Sequence, residues 1–326
     1  MSDLMGHRSN FPSFDGITKP SLQSGHNPNL DVSTVSIAQQ FSSVQLDCVD
    51  LEFDETTKAL WLYMKSEGRP CFTPELLDEL AQSQAVMKRL FETYQPTDPC
   101  PINFKVVASR IPDVYNLGGD LNLFIELIRE NNRAKLLQYA VACVDVVYRN
   151  AVSSDLPIIT IGMIQGDALG GGFETALSCD VIIAERQAKF GLPEVLFNLF
   201  PGMGAYSFLS RMVDGRVAEK MLMSGRLYSA EELHELGIVH EVVEQGEAPY
   251  AVQRYIAKNA KKHTSHSAIY RAGRTVQPVT YKELIDVVEI WVDAALSLTD
   301  QDLKKMERLT KAQDRLSAPS AQKQAL

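Results

Sequence analysis

Apolar and polar positions alternate along residues 44–53 (VQLDCVDLEF), which predicts a half-buried strand, and residues 60–65 (LWLYMK) predict a second. The intervening DETTK suits a hairpin turn. Thr73 and Pro74 then supply a helix N-cap and a first-turn proline. Leu76, Leu77, Leu80, Val86, Met87, Leu90 and Phe91 follow at helical spacing. The chain therefore opens strand, strand, helix. Residues 104–108 (FKVVA) read as a buried strand, followed by a loop that ends in a glycine pair. Asp120 can cap the next helix, whose inner face carries Leu121, Phe124, Ile125 and Ile128, and a further helix is predicted over 134–148.

The apolar run 157–164 leads into Gly170, Gly171 and Gly172, then a short helical pattern, then a strand-like run at 181–184. Helices are predicted at 203–212 and 217–224. Ser229 and Glu232 form a capping box for a short helix closed by Gly237, and 238–243 reads as a last short strand. From residue 251 the pattern is helical, with elements at 250–262, 281–298 and 303–315. The middle one gathers Leu284, Val287, Val288, Trp291, Ala294 and Ala295 on one side, a face for its own core or for a neighbouring subunit. The expected organisation is a mobile polar leader (1–35), an α/β core (36–250), a helical region (251–316) and a mobile tail (317–326).

Composition narrows the classes of function. A net charge of −9 argues against nucleic acid as the main partner. Five scattered cysteines without C-x-x-C spacing argue against a disulfide framework or a zinc site, so a reducing cytoplasm is expected. His263 and His266, three apart, are weak evidence for a metal, and none is expected. No apolar run nears the roughly 20 residues that span a bilayer.

The candidate chemistry lies between residues 116 and 204. Gly170–Gly172 lacks the Gly-Lys-Ser/Thr of a P-loop and the spacing of a dinucleotide fingerprint. Glycines at a helix start let a ligand approach the backbone and aim free N–H groups at it, which suits a carbonyl oxygen that gains negative charge. Asn116-Leu117-Gly118-Gly119-Asp120 repeats that logic at a second loop-to-helix junction. Either could be a plain structural turn. Glu174 and Glu194 sit twenty positions apart, both amid apolar residues. A carboxylate there titrates high when desolvated, and a helix N-terminus pulls it down. Alone, each is read as a solvated or paired side chain. Together, beside one glycine site, they can divide acid and base work.

These residues resemble the crotonase (enoyl-CoA hydratase/isomerase) superfamily. The segments are ALGGGFETALSCDVIIAERQAKFGLPEV, LFPGMGA, NLGGDL and SAEELHELGIVHEVV. The resemblance implies a spiral of β-β-α units with a C-terminal helical region that builds trimers or hexamers. By motif position it implies oxyanion N–H groups from Leu117 and Gly171, supporting loops at Gly118, Gly119, Gly170 and Gly172, and an acid/base pair in Glu174 and Glu194. A closer likeness is to the diffusible-signal-factor (cis-2-enoic acid) synthases of the RpfF type, through ASRIPDVYNLGGDLNLF, FGLPEVLFNLFPGMGAYS, HTSH and YKELIDVVEIWVDAAL. That likeness implies dehydration of a medium-chain 3-hydroxyacyl group on acyl carrier protein, then thioester hydrolysis to a free fatty acid signal. The substrate would arrive as a phosphopantetheine thioester, with no other cofactor. Leu169, Met203 and Trp291 are candidates for the acyl pocket or plain core. C2 proton abstraction is assigned to Glu194 and hydroxyl protonation to Glu174, an order the residue types do not fix. Lys258, Lys261, Lys262, Arg271 and Arg274 could form a basic rim for an acidic carrier, or simply a solvated helix face. A sensor protein is a further partner the resemblance allows. The rival readings are a hydratase or isomerase of acyl-CoA and a non-catalytic binding module.

Overall fold

The structure is a computed structural model that describes residues 36–65, 69–92, 94–95 and 98–317, with side chains as far as residue 311. The expected leader and nearly all of the expected tail lie outside the described residues. The remainder, from Ser36 on, forms one compact unit in which the C-terminal helices are not set apart at residue 251.

The first elements are α1 (Ile37–Ser42), β1 (Val49–Asp54), β2 (Ala59–Met64) and α2 (Pro74–Arg89). Then come β3 (Phe104–Ser109), β4 (Val114–Asn116), α3 (Leu121–Arg129) and α4 (Arg133–Ala151). The next turn is β5 (Ile159–Ile164), β6 (Asp167–Leu169) and α5 (Gly171–Leu177). It is followed by β7 (Val181–Glu185), β8 (Lys189–Gly191) and a 3₁₀ segment, Pro193–Phe197. The chain continues through α6 (Ala205–Met212), α7 (Gly215–Ser224), β9 (Leu227–Ser229), α8 (Ala230–Glu235) and β10 (Glu241–Val243). It closes with α9 (Ala248–Asn259), α10 (His263–Val276), α11 (Tyr281–Leu296) and α12 (Asp300–Ser317).

Two sheets share the strands. The larger runs β1-β2-β3-β5-β7-β10, antiparallel only at the β1–β2 hairpin, and the smaller runs β4-β6-β8-β9. The first turn gives both strands, β1 and β2, to the large sheet; the next turns each give one strand to the large sheet (β3, β5, β7) and the next to the small sheet (β4, β6, β8) before helical chain follows. The architecture is the expected α/β spiral of β-β-α units with C-terminal helices. Every residue of β3 and β5 is buried, because helices cover both faces of the large sheet. That is why these strands read as continuous apolar runs. Val106, Ile161 and Ile183 on one face pack with Ala251, Val252 and Ile256 of α9. Val107, Ile164 and Ile182 on the other belong to the main core with Leu77, Val144 and Val147 of α2 and α4.

Several elements differ from the sequence expectation. The first strand begins at Val49, not at residue 44, and α1 precedes it, fixed by a capping box of Ser36 and Gln39. The strands of the small sheet are three residues each, too short for a period of two to show. Residues 263–276 form a helix, although only His263 and Ser267 on it are buried. An Arg274–Asp180 ion pair of 2.7 Å and the His263 ring set edge-on to Phe104 tie that helix down. The broad apolar face of α11 lies on its own chain: Leu284, Val288, Trp291 and Ala295 are buried, and Arg133 of α4 pairs with Glu289 and Asp293. Arg129 of α3 pairs with Glu307 of α12 at 2.6 Å.

One tight joint in the fold is at α5. A Cβ on Gly172 would fall on the carbonyl oxygen of Asn116 in β4. Gly172→Ala is therefore expected to lower the unfolding free energy in urea by about 1–3 kcal/mol or more. Gly215→Ala, at a helix start with nothing within 4 Å of the new Cβ, should leave it unchanged or raise it by at most about 1 kcal/mol.

Candidate active site

Parallel pairing of β4 with β6 sets two loop-to-helix junctions side by side at the carboxyl ends of the strands. After β4, Leu117–Gly119 leads to Asp120, which caps α3 by accepting from the N–H groups of Asn122 and Leu123 at 3.1 and 3.2 Å. Arg69 pairs with Asp120 at 2.5 Å. After β6, Gly170 leads directly into α5. The junctions touch through backbone alone. A Cβ on Gly118 would stand 2.9 Å from both the nitrogen of Gly171 and the oxygen of Leu169, and Gly118 has φ +91°. Only glycine meets both demands.

The fate of each amide in the first junction identifies the available donors. Leu117 N–H donates to the Pro70 carbonyl at 2.8 Å. Gly118 N–H donates to Asn116 Oδ1 at 2.8 Å, and Asp120 N–H donates to the Tyr139 hydroxyl at 3.1 Å. Gly119 N–H has no acceptor among the described residues. This corrects the expectation for Leu117. Its amide is used by residue 70, so the open donor lies two positions on, at Gly119. In the second junction Gly171 is the first residue of α5, and its N–H has no acceptor within the helix. Leu117 still lines the cavity described below, with its side chain.

Glu174 stands in the first turn of α5 and is 1% exposed. Its Oε1 accepts from Ala205 N–H at 2.9 Å, the first amide of α6, whose own N-cap, Gly204, has no side chain to offer. Burial pushes this carboxyl up to about 7, against the pull of the Ala205 and Met203 amides. Glu194 belongs to the 3₁₀ segment after β8. Val195 and Leu196 beside it are exposed, and the residue as a whole is only partly buried. Its carboxylate nevertheless turns inward. A Cβ on Gly170 would stand 2.5 Å from Glu194 Oε1, and Oε2 is buried with no hydrogen-bond partner. Burial raises its pKa, and the charge of Glu174 raises it further, to about 8. The two carboxyls titrate as a pair, both above the ordinary carboxylate range.

Both carboxylates, Gly119, Gly170 and Gly171 line one cavity of about 320 Å³. Leu169, Met203 and Trp291, the expected acyl-pocket residues, line it too. Met203 Sδ rests on Gly171, and the Trp291 ring rests on Gly202. Gly118 and Gly172 stand behind the wall as spacers. Sequence reasoning missed Phe124, Tyr139 and Cys143, which α3 and α4 contribute to the wall. Phe124 was read as helix core, and its ring packs edge-on against both Tyr139 and Trp291 at 5.3 and 5.0 Å. The basic residues at 258–274 are not among those lining the cavity. Among the described residues no helix is long and apolar enough to cross a membrane.

The family profile described as enoyl-CoA hydratase/isomerase matches residues 101–313, more than half of the chain. Mitochondrial methylglutaconyl-CoA hydratase of Mus musculus is 32% identical over 150 residues, 44% of this chain and 45% of that protein. A short-chain-enoyl-CoA hydratase of Clostridioides difficile is 37% identical over 112 residues, 33% of this chain and 72% of that protein. The chain thus spans about half the length of the first of these curated relatives. Among solved structures, an enoyl-CoA hydratase from Bacillus halodurans superposes with a TM-score of 0.65 at 22% identity, over 81% of this chain and 100% of that one. Pseudomonas aeruginosa DspI superposes with a TM-score of 0.62 at 24% identity, over 84% and 98%. At these identities the structures share the fold.

The raised carboxyls have a consequence for stability. Both bind protons more tightly in the folded than in the unfolded chain, so between about pH 4.5 and pH 8 the native state holds more protons. Their contribution to the unfolding free energy therefore falls as pH rises through that window and levels off above it. In urea unfolding at pH 5 and pH 8.5, the Glu174→Gln/Glu194→Gln double variant should gain on the wild type at the higher pH.

Proposed function

The chain belongs to the enoyl-CoA hydratase/isomerase family, and on that premise we propose that its site adds water to, or removes it from, the C2–C3 bond of an acyl thioester. One observation carries this reading. Two inward-turned carboxylates, one bonded to Ala205 N–H and one with an unpartnered oxygen, and two backbone N–H groups without acceptors line the same apolar cavity. The thioester oxygen accepts from Gly119 N–H and Gly171 N–H, which hold the negative charge of the enolate. An oxyanion donor of this kind is typically worth about 10²–10³ in rate.

The surroundings of the glutamates divide the work. Glu174, steadied by the Ala205 and Met203 amides, holds the ionised form more readily. Glu194, with an unpartnered oxygen, holds the proton. In hydration Glu174 takes a proton from water as the hydroxyl adds to C3, and Glu194 gives its proton to C2 of the enolate. Dehydration reverses each transfer: Glu194 removes the C2 proton and Glu174 protonates the departing hydroxyl. At rest the proton sits where hydration needs it.

A second reading draws on the cavity wall beside Gly119, where Phe124, Tyr139 and Trp291 present rings. Such a wall favours a long acyl tail, since each methylene removed from water adds about 0.8 kcal/mol. On that reading the substrate is a medium-chain 3-hydroxyacyl group on acyl carrier protein, dehydrated to the cis-2-enoyl thioester. Water then adds to the thioester carbonyl as a glutamate takes its proton, the C–S bond breaks, and the thiol leaves with a proton as the free acid forms.

Crotonyl-CoA, 3-hydroxydodecanoyl-CoA and 3-hydroxydodecanoyl carrier protein separate the possibilities by mass spectrometry. Hydration of the enoyl-CoA is expected. Glu174→Gln and Glu194→Gln should each lower the rate by about 10²–10⁴ with the circular dichroism unchanged. Free enoic acid from the carrier-bound substrate would favour the second reading. Absence of turnover on every thioester by folded protein would overturn both and leave a binding module.

A further inference from the structure

We propose that Tyr139 is the positioning residue of the oxyanion hole, its hydroxyl fixing the direction in which Gly119 N–H points. The inference rests on the acyl-thioester reading above.

Gly119 is joined to its neighbours by two peptide planes, and each is pinned from Phe72. The plane before it is held by Phe72 N–H, which donates to Gly118 O at 2.7 Å. In a trans peptide the C=O and N–H point in opposite directions. Anchoring Gly118 O on Phe72 thus turns Gly119 N–H the other way. The plane after it is held by Tyr139: its hydroxyl accepts from Asp120 N–H at 3.1 Å and donates to Phe72 O at 2.5 Å. The same hydroxyl therefore grips the loop and the segment that anchors the loop. Glycine would otherwise turn freely about both bonds. The frame is closed below by the Phe124 ring, on which a Cβ at Gly119 would stand 2.5 Å away and which packs edge-on to the Tyr139 ring. Phe72 also reaches the second donor, with its ring against Gly171. Tyr139 lines the cavity on the ring side of the site. Nothing in this arrangement makes it an acid or a base. It acts through Gly119.

Tyr139→Phe keeps the ring and removes the hydroxyl. Asp120 N–H and Phe72 O then lose their common partner, and the plane after Gly119 is left with only the looser parallel bridge between Phe72 and Gly119. The variant should lose about 10- to 100-fold in kcat with KM changed no more than about threefold, since misplacement of a catalytic donor acts chiefly in the transition state. A readout that fold stability does not move is the carbonyl stretch of bound hexanoyl-CoA carrying ¹³C at the thioester carbon, measured by difference infrared. The wild type should shift this band to lower frequency on binding, and Tyr139→Phe should lose most of the shift. Tyr115→Phe is the control: its hydroxyl is buried without a partner, and neither kcat nor the band should change. Should Tyr139→Phe fail to fold, 3-fluorotyrosine at position 139 keeps the shape and weakens the hydroxyl as an acceptor, and the band shift should shrink in part. A wild-type band shift in the variant that is tested overturns the positioning role while leaving the thioester reading intact. A wild-type protein that binds the probe with no band shift overturns the oxyanion hole itself, and the role of Tyr139 with it.

Discussion

Two stretches of main chain approach each other with no side chain between them, and the rest of the site follows from that contact. Gly118 lies against the nitrogen of Gly171, and Gly172 lies against the carbonyl of Asn116. Parallel β4 and β6 bring the junctions together, and the glycines let them close. A single methyl group at either place would push two helix starts apart. The open N–H groups of Gly119 and Gly171 would then no longer face a common point. Short strands suffice for this purpose. The small sheet does not supply much core; it sets the registration of the loops that leave it.

The carboxylates are held by a different principle. Burying a charge in an apolar cavity is unfavourable, and the protein answers with unequal compensation. Glu174 receives amides from the start of α6, so the residue that serves the cavity also caps a helix that lacks a capping side chain. Glu194 receives no such help at Oε2 and faces the charge of its partner. The difference in proton affinity comes from what surrounds each carboxylate, not from the residue type.

Much of this was legible in the sequence, for identifiable reasons. Continuous apolar runs marked the strands of the large sheet, and Thr73–Pro74, Asp120 and Ser229–Glu232 marked helix starts that the structure has at those places. Glu174 and Glu194 stood out because carboxylates are rare in such apolar company. What stayed hidden depends on distant partners. The choice between Leu117 and Gly119 as the open amide turns on the carbonyl of Pro70, which no local pattern around residue 117 reveals. Tyr139 looked like one more position in a helix, because its hydroxyl acts on Phe72, 67 positions away. The helix at 263–276 has too narrow a buried face to show a period.

The division between main-chain donors and side-chain carboxylates bears on how such a site changes over evolutionary time. A missense mutation can erase Glu174 or Glu194 outright. It cannot erase the N–H of Gly119 or Gly171; it can only displace it, and at Gly118 or Gly172 a change that displaces it also strains the fold. Descendants of this chain can therefore trade one carboxylate for another group and inherit the same pair of main-chain donors on the cavity wall. The donors are the heritable part of the site, and the side chains around them are the negotiable part.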